Sequence, residues 1–176
     1  MKRMKVEILQ AKPSESLIIS QLGKKTFRDT FQAFFNRQDE LEAYLDYTFA
    51  PEKIAASLTR PQNSFWLAWA DNQAVGYLKT KRNSRQEALT TENQLQLQKI
   101  YVLQAYLSQK VGWHLWEKAL QQAQEENFAS IWLTVFKPNE RAIQFYQKVG
   151  FRVGGEHTYT IGTQTFDFYW FFNNLE

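Results

Sequence analysis

QLQLQKIYVLQAYLSQKVGWHLWEKAL, residues Gln94 to Leu120, is the stretch on which the reading of the fold turns. Its first part reads as a buried strand, because Leu95, Leu97, Ile100 and Val102 supply strand-type apolar density. After Tyr106 the period lengthens. Val111, Leu115, Trp116, Ala119, Leu120 and Ala123 recur at helical spacing, and the helix opens near Gly112. A strand feeding directly into a helix aims the free N–H groups of its first turn at one spot, where an anion is stabilised. The anion this reading places there is the pyrophosphate of a coenzyme.

Working outward, the helix should run to about Glu126, with Asn127 near its C-cap. Ser130 to Val135 (SIWLTV) is the next buried strand. Lys137-Pro138-Asn139 breaks it and starts a helix carrying Ala142, Ile143, Phe145 and Tyr146, which Val149-Gly150 stops. The tail holds two strands, Thr158 to Ile161 and Thr165 to Phe172, joined by a turn at Gly162-Thr163. Upstream, Ser64 to Ala70 and Ala74 to Lys81 form a meander about Asp71-Asn72-Gln73. The polar segment Arg82 to Glu92 reads as a mobile loop. Lys5 to Gln10 makes a first strand. Pro13 ends it, and Ser14 or Ser16 is the N-cap expected for the helix that follows. Leu17, Ile18, Leu22, Thr26, Phe27, Thr30, Phe31, Phe34 and Phe35 form an apolar stripe on that helix. They read first as core and second as the wall of an acceptor pocket. A further helix begins near Asp39, and Pro51 marks another helix start. The order β-α-α-β-β-β-α-β-α-β-β predicts one mixed α/β (α+β) domain over residues 1–176.

Composition narrows the functional classes. The 176 residues suffice for one full core, and an aromatic content of 16% argues for a folded interior. With no cysteine there is neither a disulfide, a thiolate metal site nor a Cys nucleophile. Two histidines, His114 and His157, make a multi-histidine metal centre implausible. The net charge of +3 suits a polyanionic cofactor, while the absence of a basic block argues against nucleic acid as partner. No signal-peptide core follows the basic start, and no run approaches a membrane span. A soluble cytoplasmic protein is therefore the expectation.

Three segments, IYVLQAYLSQKVGWHL, SIWLTVFKPNERAIQFYQKVGF and the closing aromatic strand, resemble the GCN5-related N-acetyltransferase (GNAT) superfamily. The second block, Asn139 through Phe151, is the more specific. The N-terminal TFRDTF, DELEAYL and FAPEKI are similar to the bacterial PaiA-type polyamine N-acetyltransferases. The resemblance implies the acyl-CoA N-acyltransferase fold, a central mixed sheet of about seven strands flanked by helices. It implies acetyl transfer from acetyl-CoA to a primary amine of a small molecule, spermidine or spermine among them, with no metal. It also implies that Ile100, Tyr101 and Val102 present backbone groups to the pantetheine and acetyl carbonyl. The pyrophosphate loop falls on Leu107-Ser108-Gln109-Lys110-Val111-Gly112, with Trp113 beside it. Only the last glycine of the family pattern is kept, and Lys110 stands where the first would be. That lysine either adds a charge contact to a phosphate oxygen or narrows the approach. Trp113 and Trp116 read first as packing residues, and His114 as a helix-surface or packed histidine.

By the same resemblance Tyr146 stands near the coenzyme sulfur and donates the proton the leaving thiolate needs. A phenol pKa of about 10 is close enough to a thiol's for that role. Asn139 caps its helix and contacts the coenzyme. Where relatives carry a glutamate base, this chain has Gln96, Gln98 or Thr134. No base is assigned, and a water chain toward Glu92 is one substitute. Asp29, Asp39, Glu40 and Glu42 are the carboxylates expected to flank a polyamine. The competing expectations are the same chemistry on a protein N-terminus, an amino acid or an antibiotic, and a non-catalytic acyl-CoA-binding module. The C-terminal aromatics from Phe166 to Phe172 either pack inside or form a homodimer contact.

Overall fold

The structure is a computed structural model that describes residues 4–175. Seven strands form one mixed sheet: β1 (Val6–Gln10), β2 (Asn63–Ala70), β3 (Gln73–Lys81), β4 (Gln94–Val102), β5 (Ser130–Phe136), β6 (Arg152–Ile161) and β7 (Gln164–Asn174). Their spatial order is β1-β2-β3-β4-β5-β7-β6. β4 and β5 are parallel and every other pair is antiparallel. The helices are α1 (Ser16–Phe31), α2 (Gln38–Thr48), α3 (Pro51–Leu58), α4 (Val111–Glu125) and α5 (Glu140–Lys148). The expected central mixed sheet of seven strands flanked by helices is present.

Strand alternation splits the core into two layers. Leu78, Leu95, Leu97 and Leu133 pack under Val111, Leu115, Trp116 and Ala119 of α4. On the other face Phe65, Leu67 and Tyr77 meet Ile19, Leu22 and Phe27 of α1, Leu41 and Leu45 of α2, and Ile54 of α3. β5 is covered on both faces, so its SIWLTVF is apolar nearly throughout. Gly23 lets α1 close on this second layer, since a Cβ there would lie 2.3 Å from the Phe49 ring.

Several expectations are corrected. The N-cap of α1 is Glu15, preceded by a 3-10 turn at Pro13–Glu15, rather than Ser14 or Ser16. The Glu15 carboxylate accepts from the Lys12 N–H at 2.7 Å. The expected apolar stripe outruns the helix: α1 ends at Phe31, so Phe34 falls in a 3-10 turn and is 43% exposed, and on α1 itself Leu17 is 55% exposed. β6 runs back to Arg152, six residues before its expected start at Thr158. Gly154 is the reason. The register shifts between Val153 and Gly155, so Gly154 is a bulge residue inside the strand and not a break. Arg82 to Glu92 lacks regular structure, yet it is tied down. The buried Gln94 amide donates to the Leu89 and Thr91 carbonyls and accepts from the Gln86 N–H. The Trp132 indole donates to the Ser84 carbonyl at 2.8 Å. The C-terminal aromatics point inward: Phe166, Trp170 and Phe171 are buried, and Phe168, Tyr169 and Phe172 half-buried. Among the described residues no helix is long and apolar enough to cross a membrane.

Candidate active site

β4 and β5 pair only through Gln94–Ser130, Leu95–Ile131 and Gln96–Trp132, and then diverge. Beyond Gln96 the edge of β4 that faces β5 has no strand beside it, while its other edge stays paired to β3 through Val102. In an antiparallel ladder alternate backbone groups point to the unpaired side. They line a gap that widens into a cavity of about 880 Å³. A β-bulge helps aim these groups. Lys79 pairs with Lys99 and Thr80 with Leu97, leaving Gln98 as the extra residue on β4.

The cavity wall brings together Ile100, Tyr101, Val102, Leu107, Ser108, Lys110, Gly112, Trp113, Asn139 and Tyr146, ten of the residues singled out in the sequence. Gln109 and Val111 are not in it. Gln109 is exposed on the loop, and the Val111 side chain is buried under α4, which leaves its backbone as the part able to face a ligand. Trp113 is 40% exposed at the cavity wall, whereas Trp116 packs edge-on against Phe151 in the core. The packing expectation therefore holds for Trp116 and fails for Trp113. His114 lies outside the wall, with Nδ1 3.2 Å from a Glu117 carboxylate oxygen.

Lys110 is the N-cap of α4 and adopts a left-handed backbone, φ 60°. The helix thus starts from a backbone state that glycine takes freely and lysine at a cost of about 1 kcal/mol. Lys110, Gly112 and Trp113, at the start of α4 where the first N–H groups have no intrahelical partner, line the cavity. Asn139 caps α5, its side-chain oxygen accepting from the Ala142 N–H at 3.3 Å. Tyr146 is 8% exposed, edge-on to Phe145 and Phe151, and burial pushes its phenol pKa up.

Gln96, Gln98 and Thr134 all line the cavity, and none can take a proton usefully. Glu92 is not part of the wall. Of the four expected carboxylates only Asp29 is, and it is paired with Lys25 at 2.7 Å. Asp39 pairs with Arg37, Glu42 with Arg28, and Glu40 accepts from the Thr163 hydroxyl. Several wall residues were not singled out as site residues in the sequence. Arg141, Phe145 and Lys148 recur at i, i+4 and i+7 on α5, a stripe that was visible in the spacing. His157 and Tyr159 come from the part of β6 that was misplaced or only partly placed. His157 stacks on Phe168 with ring centroids 5.3 Å apart, and burial lowers its pKa, so the neutral, proton-accepting imidazole prevails near pH 7. Phe27, Phe31 and Tyr44 serve both the core and the cavity wall. No group of residues able to hold a metal occurs among the described residues.

Comparison with known proteins is consistent with this geometry. The family model for the Acetyltransferase (GNAT) family matches residues 24–151. An uncharacterised N-acetyltransferase from Lactobacillus delbrueckii subsp. lactis is 26% identical over 157 residues, covering 89% of this chain and 90% of that protein. An uncharacterised N-acetyltransferase from Mycobacterium tuberculosis is 27% identical over 124 residues, covering 70% of this chain and 75% of its own. Among solved structures, the PaiA N-acetyltransferase from Thermoplasma acidophilum in complex with coenzyme A superposes with a TM-score of 0.79 at 19% identity, covering 98% of this chain and all of that one. Arabidopsis thaliana NAA60 in complex with a bisubstrate analogue gives 0.75 at 17% identity, with 98% and 100% covered.

Proposed function

The chain belongs to the GNAT family of acetyltransferases, and from that premise we propose that its single domain acetylates a primary amine of a small molecule in the gap between β4 and β5. Acetyl-CoA is the donor, and it supplies a thioester carbonyl carbon to the amine. The observation that carries the proposal is the unpaired edge of β4 beyond Gln96, opening on a cavity that also holds Tyr146 and the start of α4. Backbone groups of Ile100, Tyr101 and Val102 hold the pantetheine arm and polarise the thioester carbonyl. N–H groups of Ser108 and of Lys110 to Gly112, with the Lys110 ammonium, meet the pyrophosphate, while the Gln109 N–H closes the turn on the Tyr106 carbonyl. As the C–N bond forms and the C–S bond breaks, the Tyr146 phenol donates a hydrogen bond to the departing sulfur, and the thiolate then takes its proton from solvent. Burial keeps that phenol protonated, so it is always a donor.

The amine must lose a proton before or during attack. Water in the cavity and the neutral His157 imidazole are available to receive it. An alkylamine of pKa about 10 is already neutral to roughly one part in a thousand at pH 7, so a strong base is not required. Spermidine and spermine are the first acceptors to try, on the strength of the PaiA-like N-terminal segments and the PaiA structural neighbour. The wall offers them one carboxylate, Asp29, against Lys99, Lys110, Arg141 and Lys148. That balance favours amines of low positive charge over long polycations. The deciding measurement is release of coenzyme A from acetyl-CoA across an amine panel containing polyamines, amino acids and short peptides. Acetylated product from one class identifies the acceptor. Tight acetyl-CoA binding with no product from any amine would replace the enzyme by an acyl-CoA-binding module.

A further inference from the structure

A second cavity, of about 210 Å³, lies between α3 and the outer half of the sheet. Five cationic side chains line it: Lys53 from α3, Arg60 just after α3, Lys79 and Lys81 from β3, and Lys99 from β4. No carboxylate lines it. Among the described residues none of the five makes a salt bridge, although eight ion pairs between Lys or Arg and a carboxylate form elsewhere in the chain. Lys79 and Lys99 are partners directly across the antiparallel ladder. Like charges in that arrangement repel and destabilise a sheet. The two are partly buried, each ammonium resting about one ring away from an aromatic: Lys79 5.3 Å from the Phe65 centroid, Lys99 5.3 Å from those of Phe49 and Tyr101.

We propose that this cavity is a binding site for a small oxyanion of the phosphate class, held by Lys79 and Lys99 inside and by Lys53, Arg60 and Lys81 toward solvent. Such an anion supplies the countercharge the fold omits, and its oxygens accept from several ammonium donors at once. The volume is too small for a nucleotide and ample for a phosphate group with water around it, since one water occupies about 30 Å³ of liquid. Burial first, and then the neighbouring cations, lower the Lys79 pKa to about 7, and burial and Lys53 lower that of Lys99 to about 8. A bound anion favours the charged form of both lysines, so its binding is accompanied by proton uptake near neutral pH. Lys99 also lines the larger cavity, which places the two sites side by side. The anion therefore has two sources, free phosphate or the phosphoryl group of an acceptor amine, and the second rests on the acetyltransferase reading above.

Thermal melting of the full chain at pH 7 in inorganic phosphate, against chloride at equal ionic strength, tests the site without reference to activity. Phosphate should raise the wild-type Tm by at least about 2 °C. Lys79→Met removes a repelled charge, so it should melt no lower than wild type in chloride and lose the phosphate shift. Lys81→Gln, nearer solvent, should lose part of it. Calorimetric titration with phosphate in two buffers of different ionisation enthalpy should report proton uptake by wild type and less by Lys79→Met. A wild-type Tm indifferent to phosphate, or a shift of equal size in Lys79→Met, overturns the proposal. Acetylation of O-phosphoethanolamine compared with ethanolamine separates the sources. A preference of about tenfold that vanishes in Lys79→Met assigns the site to the acceptor, and no preference alongside a Lys79-dependent Tm shift assigns it to free phosphate.

Discussion

Tyr146 keeps its proton across the accessible pH range, because the rings of Phe145 and Phe151 and the rest of its burial disfavour the phenolate. Its use is thus as a hydrogen-bond donor to a sulfur that is gaining negative charge. Tyr146→Phe removes that donor and little else, so turnover should fall about 100-fold while coenzyme A affinity, measured by calorimetry, changes less than about twofold. Equal losses in both would show a packing role instead. Lys110 offers a second separation. Lys110→Gly relieves a left-handed backbone but removes an exposed ammonium, so the melting temperature should hold or rise. Acetyl-CoA affinity should weaken about two- to fivefold, more at low salt than at high, as expected of a solvent-screened charge contact. At this scale the sequence was informative wherever backbone did the work. The turn after Tyr106 was read from the change of period, and the Asn139 cap came with the family resemblance. Its lysines were opaque: Lys79 and Lys99 look like solvated strand positions until the register sets them face to face.

Between elements, glycine placement governs how closely layers approach. Gly154 sits in the β6 bulge against Trp170, and a Cβ there would fall 2.1 Å from the indole. The ring is buried between neighbours and cannot swing away, so Gly154→Ala should destabilise by about 1–3 kcal/mol in denaturant unfolding. An unchanged midpoint would mean that β6 shifts register without cost. The same bulge explains why β6 was only half legible. RVGGEH has no alternating apolar face, because β6 is an edge strand paired only to β7 with most of its residues in water. Its Gly-Gly then reads as a break. β4, β5 and α4 were legible for the opposite reason: burial of one face gives α4 its helical period and β4 its apolar positions, and burial of both faces makes β5 a continuous apolar run. The tether from Gln94 to the Arg82–Glu92 segment has no period and could not be read at all.

For the whole molecule, the basic cavity sets a pH dependence. Lys79 and Lys99 bind protons less readily in the folded chain than in the unfolded one, whose lysines titrate near 10.4. Between pH 7 and about 10 the unfolded state therefore holds more protons, and stability should climb with pH through that window. Denaturant unfolding in chloride at pH 7, 8 and 9 should show the rise, and Lys79→Met should flatten it. Glu126 acts at the other end of the scale. Its hydrogen bonds from Arg82 and Gln122 lower its pKa, so its contribution is present above the ordinary carboxylate range and fades as pH falls into the acid region. That pair joins the segment after β3 to the end of α4.

Only three residue pairs fasten β4 to β5, so the sheet is two ribbons, β1 to β4 and β5 to β6, sharing a short seam. A pantetheine arm lying along the rest of β4 would act as an eighth strand and extend that seam. Amide hydrogens on the gap side of β4 should then exchange with deuterium quickly in the free chain and slowly once coenzyme A is bound, while those facing β3 change far less. The donor of the acetyl group would also be, for as long as it stays, a piece of the sheet.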